Sequence, residues 1–252
     1  MRRFAAATVA VVTATVLLVA TPASAASVQV AWCDDQSRVA LIGTSADTGY
    51  GTTGYSSPDD TFARTRYGWV TKISNDLTAQ WQTVTTDYSH NGAMASDYLP
   101  GGRWSITTGA LGDIASTRPP LVLIDLGGNE YWAQHDPAVL QTQLGQIIDQ
   151  VRAARPDVTI LLSIYPELNW QPNAYASTKT WDWSAYGSAI YNTAVTKQTA
   201  LIDLRQTIPP AADPVPTNPN VWTSDGIHLN DAGNLAEYGI WWGWVSSLAS
   251  VC

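Results

Sequence analysis

The feature that most constrains the fold of this chain is an alternation. Five short runs rich in apolar or β-branched residues, Val39 to Ile42, Thr83 to Tyr88, Leu121 to Leu126, Val158 to Ile164 and Ala200 to Leu204, are each separated by segments long enough to hold a helix. Strands spaced in this way return in the same direction, so the sheet is expected to be mostly parallel, and a parallel sheet needs cover on both faces. The expected fold is α/β: a single domain of three layers, α/β/α, around a mostly parallel five-stranded sheet. The cover comes from helical segments at Thr61 to Ala79, Pro137 to Ala154 and Trp183 to Lys197. In the second of these Val139, Leu140, Leu144, Ile147, Ile148 and Val151 recur at three- and four-residue spacing, which puts one apolar stripe against the sheet. A last helix is capped by Asn230 or Asp231. Its inner stripe is Leu235, Tyr238, Trp242, Val245 and Ala249, with Trp241 and Trp244 partly exposed. Pro209 to Pro219 is read as a stiff surface loop, because too few residues follow it to build a second core.

Composition enters as a filter on partners. Of 252 residues 45% are hydrophobic, enough for a packed core, and 13 basic against 21 acidic side chains give a net charge of −8, the wrong sign for gripping a phosphate backbone. Nucleic acid is not an expected partner. Arg2 and Arg3, the apolar stretch Phe4 to Ala20 and the small residues up to Ala25 read as an export leader cleaved after Ala25, which leaves a domain of residues 26–252. The stretch is short for a bilayer, and no later run of about 20 apolar residues occurs, so no stable membrane insertion is expected. The mature chain is expected to be secreted and monomeric. Outside the cell its two cysteines, Cys33 and Cys252, are expected to pair.

In an open parallel sheet functional groups gather beyond the carboxyl ends of the strands. Gly43-Thr44-Ser45 follows the first strand, His90-Asn91-Gly92 the second and Gly127-Gly128-Asn129-Glu130 the third. Asp225-Gly226-Ile227-His228 follows the fifth, across the proline loop. The chain has only three histidines, His90, His135 and His228, so the choice of a neutral-pH base is narrow. An aspartate three residues before His228 can accept from its Nδ1 across a tight turn, leaving Nε2 to take a proton from a serine. His135 beside Asp136 reads as a surface pair. No metal and no cofactor are expected: there is no His-Glu-x-x-His motif and no clustered cysteine.

Taken together, these blocks resemble the SGNH hydrolases, the GDSL esterase/lipase family, from about Val39 to Trp244. The family's Gly-Asp-Ser-x-Thr-x-Gly block stands here as Gly43-Thr44-Ser45-Ala46-Asp47-Thr48-Gly49, its Gly-x-Asn-Asp as Gly127-Gly128-Asn129-Glu130, and its Asp-x-x-His is intact. The resemblance implies a flavodoxin-like sheet and a serine esterase that forms an acyl-enzyme on Ser45, with His228 as base and Asp225 orienting it. Ester substrates would carry a short acyl group, an acetylated carbohydrate or a lipid. The implied oxyanion hole takes the N–H of Ser45, the amide of Asn129 and a backbone N–H from the irregular second block, Ser96 in the best register or Gly92 in the alternative. Thr44 and Glu130 both stand where the family carries aspartate.

The competing reading is a noncatalytic carbohydrate- or cell-wall-binding module, suggested by the aromatic load: 12 tryptophans, among them Trp170, Trp181, Trp183, Trp222 and Trp241 to Trp244. Trp132 and Trp222, near the motif blocks in sequence, are the expected lining of a substrate site.

Overall fold

The structure, a computed structural model, describes residues 31–168, 175–206, 208 and 221–251. The expected leader, the proline-rich stretch up to residue 220, Trp170 and Cys252 lie outside the described residues. The order of elements is α1 (Ala31–Asp34), β1 (Arg38–Ile42), α2 (Trp69–Trp81), β2 (Val84–Asp87), α3 (Ser105–Thr117), β3 (Leu121–Ile124), α4 (Gly128–Ala133), α5 (Pro137–Ala154), β4 (Thr159–Ile164), α6 (Trp183–Lys197), β5 (Ala200–Asp203) and α7 (Asp231–Leu248). All five strands are parallel, in the order β2-β1-β3-β4-β5.

The sequence explains that order. β3 and β4 read Leu-Val-Leu-Ile and Thr-Ile-Leu-Leu-Ser-Ile and are buried throughout, as central strands covered on both faces must be. The edge strands β2 and β5 are only partly buried. Because β2 and β3 lie on opposite sides of β1, the chain changes direction beyond the carboxyl ends of β1 and β3, which is where an open α/β sheet leaves a crevice.

Helices α3, α5 and α6 pack together, and α2 packs with α7. α5 begins on Asp136, whose side chain accepts from Ala138 N, with Pro137 in the first turn, and it buries Leu140, Leu144, Ile147, Ile148 and Val151. Val139, expected on that stripe, faces outward. In α7 the buried face is Asn234, Glu237, Trp241 and Val245, so Leu235 and Trp244 point out and Trp241 is enclosed, stacked on Trp69 at 4.8 Å. The polar members displace the inner face from the expected stripe: Asn234 accepts from Trp69 N at 3.1 Å and donates to Leu229 O at 2.8 Å, and Glu237 accepts from Trp241 Nε1 at 3.3 Å.

Two other expectations need correction. The helix expected from Thr61 starts at Trp69, because the segment before it uses its groups otherwise: Thr61 bridges to His90, Thr65 N donates to Thr71 Oγ1, and Gly68 N donates to Thr65 Oγ1. Helix α3 was not expected. Its Gly109, Gly112 and threonines are weak helix formers, and only Thr107, Ala110 and Ile114 are buried.

Candidate active site

The turn after β1 is built around a glycine. A Cβ on Gly43 would lie 2.1 Å from Asp47 Oδ2 and 2.6 Å from Ser89 Oγ, so no larger residue fits. Thr44 N donates to Asp47 Oδ2 at 2.6 Å, Asp47 N to Thr44 O at 3.1 Å, and Ala46 N to Thr44 Oγ1 at 3.2 Å. Trp69 Nε1 donates to Ala46 O, and the buried Tyr98 hydroxyl donates to Gly43 O at 2.6 Å. These bonds hold Ser45 at the crest of a tight turn. Burial and the neighbouring carboxylates of Asp125, Glu237 and Asp87 push the Asp47 carboxyl well above its ordinary range.

The loop after the proline-rich stretch carries Asp225 and His228. It closes by an antiparallel bridge between Thr223 and Leu229, with Gly226 at a φ of 87°. Asp225 Oδ1 accepts from the N–H groups of Ile227 and His228, and Oδ2 lies 2.7 Å from His228 Nδ1. Burial alone would raise this carboxyl, but the bond and charge of His228 and the two backbone donors outweigh it and hold Asp225 below the usual value. The other ring nitrogen, Nε2, lies 2.9 Å from Ser45 Oγ. Hydroxyl, imidazole and carboxylate are thus in line across two loops.

Asn129 sits in the first turn of α4, entered through Gly127 at a φ of 122°. Its Nδ2 donates to Ala93 O at 2.9 Å, which leaves its second hydrogen for the pocket. Glu130, 2% exposed, accepts from Ala95 N at 2.6 Å, and burial pushes its carboxyl up to about 7. Both side chains therefore tie the second-block loop to α4. From the other side Thr48 Oγ1 donates to Asn91 Oδ1 at 2.7 Å. Gly92 lies between these anchors at a φ of 75°, and neither its N–H nor that of Ser45 has an acceptor among the described residues. Ser96 instead lines a separate recess with Asp97, Arg103 and His135. Neither Gly92 nor Ser96 is among the residues that line the pocket beside Ser45.

The pocket beside Ser45 holds about 90 Å³ and is walled by Leu126, Asn129, Trp132, Leu168, Ile227 and His228. Trp132 thus lines it. Trp222 packs against the core and is not among the lining residues. His90 stacks on Trp104 at 3.8 Å, away from chemistry, and His135 is exposed beyond α4. Two tyrosines with no motif signal also shape the site. Tyr165, after β4, donates to Ile227 O at 3.0 Å, and Tyr50 lies against the His228 ring. Placement after a strand could have suggested Tyr165; nothing local announces Tyr50. Among the described residues no group of three His, Cys, Asp or Glu side chains is arranged to hold a metal ion, and no helix is long and apolar enough to cross a membrane.

A model of the GDSL-like lipase/acylhydrolase family matches residues 41–236. The chain belongs to this family. As a GDSL, or SGNH, protein it is a carboxylic ester hydrolase. Solved structures share its fold at low identity. A carbohydrate acetylesterase from Sinorhizobium meliloti, Est24, superposes with a TM-score of 0.62 at 18% identity over 84% of this chain and 99% of its own. An aryl esterase of M. smegmatis gives 0.63 at 17% over 84% and 99%. The acetyl xylan esterase AlAXEase gives 0.58 at 20% over 82% and 99%. No curated protein matches the chain in sequence.

Proposed function

We propose that this GDSL hydrolase is an exported serine esterase that removes short acyl groups, acetyl above all, from hydroxylated substrates such as carbohydrates. The observation that carries the proposal is the line from Ser45 Oγ through His228 to Asp225, 2.9 Å and 2.7 Å between successive polar atoms. Ser45 Oγ attacks the ester carbonyl while His228 Nε2 takes its proton, and Asp225 steadies the imidazolium that forms. The negative charge on the carbonyl oxygen is met by the N–H groups of Ser45 and Gly92 and by the free hydrogen of Asn129 Nδ2. The imidazolium returns its proton to the departing alcohol. Water then cleaves the acyl-enzyme by the same route.

The preference for a short acyl group rests on the pocket. Its 90 Å³ is well below the roughly 300–1,000 Å³ of sites that enclose drug-sized ligands, and its walls are mostly apolar. The acetyl esters named for Est24 and AlAXEase support the same choice. Export is supported by Arg2, Arg3 and the apolar stretch up to Ala20. The binding-module reading loses force because Trp183 and Trp241, two of its candidate platforms, are buried in the core.

The test uses the mature protein and its Ser45→Ala variant. A fluorophosphonate should label Ser45 alone, and p-nitrophenyl acetate turnover should fall by about 10³ or more in the variant. A series of longer p-nitrophenyl esters should be turned over progressively more slowly. Equal hydrolysis by both proteins would remove Ser45 from the chemistry.

A further inference from the structure

We infer that Tyr50 is a positioning residue for the base, holding the His228 ring in line with Ser45 and Asp225. The inference rests on the esterase reading above for its kinetic meaning, but the contact itself does not. The Tyr50 and His228 ring centroids are 4.5 Å apart with their planes at 61°. Both imidazole nitrogens are engaged, Nδ1 by Asp225 and Nε2 by Ser45, so Tyr50 meets the rest of the ring. It is absent from the pocket lining, and therefore touches the imidazole away from the space assigned to the acyl group.

The approach is built into the chain. Gly51, at a φ of 87°, passes so close to the base loop that a Cβ there would lie 2.7 Å from Leu229 O and 3.0 Å from His228 Cβ. Tyr50 is braced in turn by Tyr55 at 5.5 Å, and Tyr55 is held by Asn91 Nδ2 at 3.1 Å and by Thr61 O at 3.2 Å. One short segment, 43–51, therefore carries the nucleophile and the ring that fixes its base. The other titratable groups facing the ring or its pocket are Asp225 on its own loop, Asp125 after β3 and Tyr165 after β4, and substitution at Tyr50 leaves all three in place.

The deciding experiment compares Tyr50→Leu, which keeps bulk and loses the aromatic face, with Tyr50→Phe, which keeps the face. On the mature protein Tyr50→Leu should cut kcat about three- to fivefold with KM nearly unchanged, and Tyr50→Phe should keep kcat within about twofold of the wild type. Tyr50→Met serves as a second aliphatic variant, with thermal midpoints checking that each protein is folded. An undiminished kcat in folded Tyr50→Leu, or a change in KM alone, overturns the inference. Failure of the esterase reading would show separately, as undiminished turnover in Ser45→Ala.

Discussion

Glu130 illustrates what a single side chain contributes. It stands where the family block has aspartate, is enclosed beside Asn129, and ties Ala95 to α4. Burial pushes its carboxyl up to about 7, so the folded protein keeps a proton that the unfolded chain gives up above about 4.5. With more protons bound in the folded state, stability falls as pH rises between those two values. Glu130→Gln keeps an acceptor for Ala95 N and removes the titration. Urea unfolding at pH 5 and pH 8 should show the wild type losing about 2–3 kcal/mol more than the variant over that interval; parallel losses would refute the assignment. Residues of this kind explain what can be read in advance. Ser45, Asn129, Asp225 and His228 lie in short blocks whose local geometry follows from their spacing. The choice between Gly92 and Ser96 depends on how an irregular loop is tied down, by Thr48, Asn129 and Glu130, and spacing along the chain does not carry that information.

At the level of elements, strands and amphipathic helices were legible because burial on both faces demands continuous apolar runs and one-sided cover demands a stripe. β1, β3 and β4 and the helices α5 and α6 follow that logic, while the edge strands β2, Val-Thr-Thr-Asp, and β5 are only partly buried. α7 departs from it, since its inner face is chosen by hydrogen bonding as well as by hydrophobicity. Asn234, 1% exposed, joins the start of α2 to the end of the loop that carries His228 through Trp69 N and Leu229 O. Asn234→Leu leaves both groups buried without a partner and should cost about 2–3 kcal/mol, measured as a lower denaturation midpoint. A change within about 0.5 kcal/mol would mean that the helix docks by apolar contact alone. α3 leaves no such pattern, being held by its neighbours more than by its own glycine- and threonine-rich sequence.

For the molecule as a whole, the N-terminal end of the described chain is fastened twice over. Trp32 donates from its backbone to Thr159 Oγ1 in β4 at 3.0 Å and from its ring to Val245 O in α7 at 2.9 Å. Cys33, the next residue, is not a free thiol. We propose Cys252 as its partner. Closing a loop of about 220 residues would add up to about 5 kcal/mol in the chain-entropy account. Reduction should therefore lower the thermal midpoint by several degrees and leave p-nitrophenyl acetate turnover at 25 °C nearly intact, because the site draws on neither cysteine. An unchanged midpoint would rule out a structural bridge.

The segment from Gly43 to Gly51 divides the labour of the crevice. Alignment of serine and imidazole is settled on that flank, whereas much of the chamber wall facing them comes from the opposite side, from Leu126, Trp132 and Leu168. Changes at those three positions can thus reshape the chamber while the line from Ser45 through His228 to Asp225 stays in register.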